Sequence, residues 1–254
     1  MNTDIGNYAQ HAQYWDWGGF DRTPEHEHWL KYAEKYGRRV LIPMCALGET
    51  GAYMAERGFE VTAFDLTPEM ISEGKKRFGH IGGLTLLEGD VRDFSFDIPR
   101  ADFAFSMDFG HLHSLDDVKR AIGSIARHLR VGGCFVLETD LLLSGEISYE
   151  SSERTFEPFS QIYPDIRVWK KGSGRYDAVT GRQYIAQTFY AQHADGHIDS
   201  FEHEFYLQNY TRDEWLSAFS ESGLEIIGEY NTRELSSWLS SGDGFRIFET
   251  IKRV

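Results

Sequence analysis

Three stretches of the sequence carry side chains whose type and spacing could do chemistry. The first is Cys45-Ala46-Leu47-Gly48-Glu49-Thr50-Gly51, a run of mostly small residues after an apolar segment. Small residues let backbone N–H groups and the positive end of a following helix approach a negatively charged or carboxylate-bearing ligand. The second is Asp65, about 20 residues beyond that loop, where a strand-end carboxylate can accept hydrogen bonds from both hydroxyls of a ribose. The third is Asp108, His111 and His113, on a loop where a base for an amine or hydroxyl substrate would sit. Each stretch also has a plainer reading, as a tight turn, a solvated acid and ordinary loop histidines. Ala46 to Gly51 is one substitution from the dinucleotide fingerprint G-x-G-x-x-G, so an NAD-dependent oxidoreductase and a non-catalytic nucleotide-binding module stay open at this point.

The elements that must position these residues follow from punctuation and periodicity. Arg39 to Cys45 is a continuous apolar run that suits a strand buried on both faces. Thr23-Pro24-Glu25 predicts a helix through about Lys35, ended by Gly37, and Tyr53 to Arg57 predicts a short helix closed by Gly58. Phe59 to Phe64 reads as a second strand, and Thr67-Pro68-Glu69 opens the next helix. Leu84 to Leu87, Phe103 to Phe105, a helix capped at Ser114 and Cys134 to Leu137 continue the alternation. Alternating strands and helices predict a parallel α/β sheet covered on both faces.

From Thr155 to Tyr210 the chain is rich in Tyr, Phe, Thr and Val. Turn signals at Gly172-Ser173-Gly174, Thr180-Gly181 and Asp195-Gly196 predict antiparallel hairpins there. A capping box at Thr211 and two closing strands, Leu224 to Ile227 and Arg246 to Ile251, return the chain to the first sheet. The expected division is an N-terminal lid or helical segment at 1–37, a core at 38–140 and 211–254, and an antiparallel β insert at 141–210 over the active site.

Composition removes several functional classes. A chain of 254 residues, 41% apolar and 15% aromatic, can bury a core without staples, and 26 Lys+Arg against 40 Asp+Glu give a net charge of −14. That sign repels phosphate backbones and anionic lipid, so neither nucleic acid nor a membrane is an expected partner. Cys45 and Cys134 lie in apolar runs and read as reduced core residues. With no signal-like leader and no apolar stretch near the roughly 18 residues of a membrane span, a cytoplasmic protein, monomer or homodimer, is expected.

Beside these readings, the sequence resembles the class I S-adenosylmethionine-dependent methyltransferases, especially small-molecule N-methyltransferases such as those of glycine and of aminosugars. Val40-Leu41-Ile42-Pro43-Met44-Cys45-Ala46-Leu47-Gly48 is similar to the family's V-L-D-L-x-C-G-T-G, and Val61 to Ile71 is similar to V-x-G-x-D-x-S-x-x-M-I. Glu88-Gly89-Asp90, Leu129-Arg130-Val131-Gly132-Gly133 and Phe109-Gly110-His111-Leu112 extend the likeness. It departs at Ile42, where the family carries an acid, and at Ala46-Leu47, where it carries Gly-Thr.

The resemblance implies a Rossmann-like, mostly parallel seven-stranded sheet with helices on both faces, a terminal antiparallel strand and an antiparallel β insert. It implies S-adenosyl-L-methionine as cofactor, with Cys45, Ala46 and Gly48 along its methionine part and Asp65 on the ribose. Leu66 and Met70 would flank the adenine, Asp90 and Val91 would meet its edge, and Met107 and His111 would approach the reacting end. His111 and Asp108 are the implied catalytic candidates, with a cofactor contact as the alternative for His111. The implied reaction is methyl transfer to a nitrogen of an amine-bearing small molecule, with methylation of oxygen or another atom as the alternative.

Other aromatic and basic residues have two readings each. Tyr14 and Trp15 belong to an aromatic segment, Tyr14 to Phe20, that is either a core staple or a lid over the cofactor. In the insert, Arg175 and Tyr184 are substrate-binding candidates alongside His113, with a surface position the plainer reading for Arg175. His111 and His113 with Asp108 or Glu138 raise a metal reading, but no third ligand is fixed by spacing, so no metal is expected. His203, between Glu202 and Glu204 in a predicted strand, faces away from both acids and reads as a satisfied strand residue.

Overall fold

The computed structural model describes residues 8–13, 15, 21–107, 109–143, 148–156, 166–231 and 244–253, with the side chains of 152–154 and 156 set aside. Tyr14 and Asp108 therefore lie outside the described residues. The chain runs α1 (Tyr8–His11), α2 (Thr23–Tyr36), β1 (Arg39–Pro43), α3 (Glu49–Ala55), β2 (Glu60–Asp65), α4 (Pro68–Phe78) and β3 (Leu84–Glu88). It continues through β4 (Ala101–Met107), α5 (Leu115–His128) and β5 (Leu129–Asp140). Four long strands follow, β6 (Tyr149–Phe156), β7 (Arg167–Asp177), β8 (Arg182–Gln192) and β9 (Ile198–Gln208), and then α6 (Arg212–Glu221), β10 (Leu224–Tyr230) and β11 (Phe245–Lys252).

The main sheet has the order β10-β11-β5-β4-β1-β2-β3. Strands β1 to β5 pair in parallel, while β11 is antiparallel to both β5 and β10. Strand order reverses at β1, which lies between β2 and β4, and such a switch point opens a crevice beyond the strand ends. The apolar run at β1 is explained by its position, since Val40 to Pro43 are all buried between two helical layers. On one face Trp29 of α2 stacks on Phe105 with centroids 4.3 Å apart. On the other, Trp215 and Phe219 of α6 pack with Phe109, Phe135 and Phe248. Each fully buried aromatic contributes roughly 1.5–3 kcal/mol of transfer free energy.

The second sheet is antiparallel, in the order β6-β7-β8-β9. Thr180-Gly181 and Asp195-Gly196 turn its hairpins, both glycines with positive φ. Gly172-Ser173-Gly174 does not turn: it runs through the middle of β7, paired with Gln187, Ala186 and Ile185 of β8. The irregularity expected there sits instead in β6, whose register shifts between Ser151 and Arg154 while the Ser151 hydroxyl accepts the Gly174 N–H at 2.9 Å.

Helix starts differ from expectation in two places. The helix expected over Tyr53 to Arg57 begins at Glu49, directly after Gly48, so the whole small-residue loop is shorter than its composition suggests. At α2, Arg22 occupies the cap position and Thr23 is already helical, its N–H accepted by the Asp21 carboxylate at 2.9 Å. Ser114 and Thr211 cap as their spacing predicts, Thr211 with a full reciprocal capping box. Among the described residues, no helix is long and apolar enough to cross a membrane.

Candidate active site

The crevice at the switch point is floored by the loop between β1 and α3. Two non-glycine residues there, Met44 and Ala46, hold left-handed backbone at φ 54° and 50°, a conformation that costs about 1–2 kcal/mol for an L-residue. Gly48 follows at φ 83°, and a Cβ on it would lie 2.6 Å from Leu86 Cδ2. Gly74 of α4 lets that helix close on the loop from the other side, since a Cβ there would meet the Leu47 carbonyl oxygen at 2.2 Å. The loop path is thus fixed by backbone contact more than by side chains.

Asp65, at the end of β2, organises the loop from beneath. One carboxylate oxygen accepts the Ala46 N–H and the other the Thr67 N–H, both at 2.9 Å. Burial pushes its carboxyl above the usual range despite these bonds, so the ionised group gains from further donors. Each oxygen keeps lone-pair capacity beyond one backbone N–H, which is the chemistry of a ribose diol. Met70 is buried against Leu47 and Ala12, with Trp15, Tyr8 and Ala46 packed on the same cluster, while Leu66 stands exposed at the rim. These features fit an adenosyl cofactor with Cys45, Ala46, Gly48, Asp65, Leu66 and Met70 along it.

The remaining cofactor candidates stand differently. Asp90 is engaged by Arg92, whose Nη2 lies 2.6 Å from one oxygen, and this pairing holds the carboxyl below its ordinary range. Val91 is buried in the core with Phe94 and Phe109, so only its backbone is available to a ligand. Met107 ends β4 half-buried against the Trp29 and Phe105 layer. The departures from the family pattern have structural roles: Ile42 fills the core, and Leu47, fully buried, anchors α1.

The part of the crevice that holds the catalytic candidate His111 is assembled from distant segments. His111 shares a 2.8 Å hydrogen bond with the Tyr8 hydroxyl, and its other ring nitrogen is buried with no partner among the described residues. Burial, then His113 and His203, lower its pKa to about 4, so the ring is neutral near pH 7. The Tyr8 ring meets the His203 ring edge-on at 4.6 Å, and Phe205 lies 5.4 Å from His111. His11 packs among Phe189, Phe201 and His203, and burial, then His203, Lys170 and Arg22, lower its pKa to about 3. Through Tyr8 and Trp15, the segment around α1 therefore touches both the cofactor loop and the acceptor end.

Of the three substrate candidates, His113 lies near enough to His111 to act on its charge, whereas Arg175 and Tyr184 are not brought together with it. His113 bonds the Tyr206 carbonyl at 2.9 Å, tying its loop to β9. Arg175 and Tyr184 are cross-strand partners, and Tyr184 pairs with Tyr206, so alternation puts all three on the sheet face opposite His203 and Phe205. Sequence reasoning missed Tyr8, His11 and the inward role of His203. The spacing of Tyr8, His11, Ala12 and Trp15 is the signal that would have shown one helical face. Among the described residues, no group of three or more His, Cys, Asp or Glu side chains is placed to hold a metal.

Comparison with known proteins gives consistent results. The methyltransferase-domain family matches residues 40–133. YqeM of Bacillus subtilis (strain 168), named only as a methyltransferase, is 28% identical over 149 residues, covering 58% of each chain. The malonyl-[acyl-carrier protein] O-methyltransferase of Pectobacterium atrosepticum is 31% identical over 114 residues, 44% of this chain and 42% of that one. The chain thus matches little more than half the length of these curated relatives, or less. Among solved structures, DesVI of Streptomyces venezuelae superposes with a TM-score of 0.77 at 17% identity, covering 96% of this chain and 98% of that one. CalS10 of Micromonospora echinaspora, an amino pentose methyltransferase solved with its S-adenosylmethionine, gives 0.70 at 19% identity, over 94% and 95% of the two chains. The switch-point crevice lies within residues 40–133, which match the methyltransferase-domain family, and the chain shares its Rossmann-like fold with S-adenosylmethionine-dependent methyltransferases of known structure.

Proposed function

We propose that the protein transfers a methyl group from S-adenosylmethionine to an uncharged nitrogen of a small metabolite. The observation that carries this reading is His111, a buried neutral imidazole with a pKa lowered to about 4, set beside Tyr8 among ring faces. A ring kept neutral by burial is a poor base for drawing the proton from a hydroxyl as it attacks, whereas an amine that arrives neutral needs only alignment. An amine handled by CalS10 is consistent with this, and the oxygen acceptor of the Pectobacterium relative is the competing case.

The bound cofactor supplies a sulfonium methyl group open to in-line displacement. Asp65 would hold the ribose hydroxyls, the Ala46 to Gly48 backbone would border the methionine part, and Leu66 and Met70 would flank the adenine. Tyr8 orients His111, whose neutral ring accepts a hydrogen bond from the acceptor N–H and aligns its lone pair, and the ammonium formed by transfer loses its proton to water after release. The aromatic faces of Tyr8 and Phe205 exclude water and favour developing positive charge on nitrogen by roughly 0.5–2 kcal/mol. In this reading residues 38–140 and 211–254 form the cofactor core, 141–210 cover the acceptor, and 1–37 close over both.

A labelled-methyl transfer screen against metabolite extracts, with product identification by mass spectrometry, tests the proposal. Label on an amine supports it, while label confined to hydroxyl or carboxyl products sinks the nitrogen assignment.

A further inference from the structure

Arg175 and Tyr184, which stand away from His111, line a cavity of about 690 Å³ that no step of methyl transfer uses. Tyr184 and Tyr206 lie side by side with centroids 5.1 Å apart, and the Arg182 guanidinium sits 4.4 Å over the Tyr206 ring. Arg175 is the direct cross-strand partner of Tyr184, so both guanidiniums border the same pair of rings. Neither arginine makes an ion pair among the described residues, in contrast to Arg39, Arg92, Arg212 and Arg253, each of which holds a carboxylate.

Two acids border the cavity, Glu150 and Asp177, the latter the cross-strand partner of Arg182 and near enough to Arg175 to feel its charge. Asp177 is occupied by its own turn, accepting the Val179 N–H and the Thr180 hydroxyl, each at 2.9 Å. Glu150 faces Arg175 across the β6–β7 pairing without forming an ion pair. Among the described residues the two guanidiniums form no ion pair with either carboxylate, which leaves their forks available beside a tilted pair of tyrosine rings. Guanidinium forks suit carboxylate or phosphate, tyrosine faces suit a planar ring, and the volume is that of a small-molecule site.

We propose that this cavity binds a small planar anion, an aromatic ring carrying a carboxylate or phosphate, at a site separate from the methyl-transfer cavity. The two sites share one strand end. Tyr206, whose ring lines the groove, accepts a hydrogen bond from His113 through its carbonyl, and the Gln208 N–H donates to the Gly110 carbonyl at 2.8 Å. Occupancy is thereby connected to the loop that carries His111. This inference does not depend on which atom is methylated.

The test is calorimetric titration of the full chain with phenyl phosphate in saturating S-adenosylmethionine. The expected result is one-to-one binding that weakens at least tenfold in the Arg175→Gln/Arg182→Gln double variant and by an intermediate factor in each single variant. These exposed substitutions should leave the melting temperature and S-adenosylmethionine affinity in place, which separates loss of the site from loss of the fold. The proposal is overturned by absence of binding at millimolar phenyl phosphate, by equal affinity in the double variant, or by competition with S-adenosylmethionine. Inorganic phosphate binding as tightly as phenyl phosphate overturns the aromatic part. A dimer that dissociates in the double variant while phenyl phosphate affinity is unchanged overturns it in favour of a second copy on this face.

Discussion

The cofactor end and the acceptor end of the crevice are built in opposite ways. The cofactor end is local, with Met44 to Gly48 and Asp65 on two neighbouring strands and the geometry set by backbone strain and backbone hydrogen bonds. The proposed acceptor end draws Tyr8, His111, His203 and Phe205 from three distant segments, and its character comes from packing buried rings against one another. A local, backbone-defined site can keep its ligand while the surrounding chain diverges. A site assembled over long range is free to change its ligand with each new segment.

The largest predicted effects come from forcing side chains into the cofactor loop. Gly48→Ala adds left-handed strain to a clash with Leu86, costing about 2–4 kcal/mol in urea unfolding. Gly74→Ala should cut S-adenosylmethionine affinity at least tenfold by moving the Leu47 carbonyl, with a smaller loss of stability. If either substitution instead spares the cofactor and abolishes only turnover, the two ends are not separable. Asp65→Asn turns one accepting oxygen into a donor opposite a backbone N–H, and should weaken cofactor binding by about 2–3 kcal/mol in calorimetry.

At the acceptor end the expected split is reversed. His111→Asn should lower kcat by about a hundredfold, and Tyr8→Phe by about tenfold, with S-adenosylmethionine affinity within twofold of the parent. Equal losses of cofactor affinity would contradict the division of labour. Acidity offers a further contrast. His11 and His111 have pKa values depressed by burial to about 3 and about 4, so docking of α1 is fully favoured above about pH 6.5. It weakens as pH falls below that, by about 1.4 kcal/mol per unit for each histidine until its docked pKa is reached. Amide exchange at residues 8–13 should accelerate between pH 7.5 and 5 relative to β2, and parallel behaviour of the two would contradict this.

The smallest effect is Ala46→Gly. It relieves a left-handed alanine and should stabilise the chain by up to about 1 kcal/mol in urea unfolding; a destabilised variant would show that the loop is not strained.

The loop half of the crevice is legible in the sequence because its structural signals are local. The Gly48 turn, the strand-end Asp65 and the Thr211 capping box are each readable within a few residues. The start of α3 was misplaced because composition marked the loop as longer than the backbone makes it. Gly172-Ser173-Gly174 misled because glycine in a strand marks close approach to a bulged neighbour as readily as a turn. His203 was read on the correct side of its strand, yet nothing within the strand could reveal that Tyr8 and His11 pack on it. Arg175 and Tyr184 were grouped with the substrate by residue type, and only pairing register shows that they face the other way.

The central claim is that a neutral nitrogen receives the methyl group beside a histidine too weakly basic to activate oxygen. Its most direct measurement is turnover of matched small amines and alcohols with labelled S-adenosylmethionine above and below the pKa of each amine. The account predicts label on nitrogen alone, with rates that rise as the amine is deprotonated. Label on the alcohols at comparable rates, or transfer to amines that is indifferent to their protonation, would contradict it.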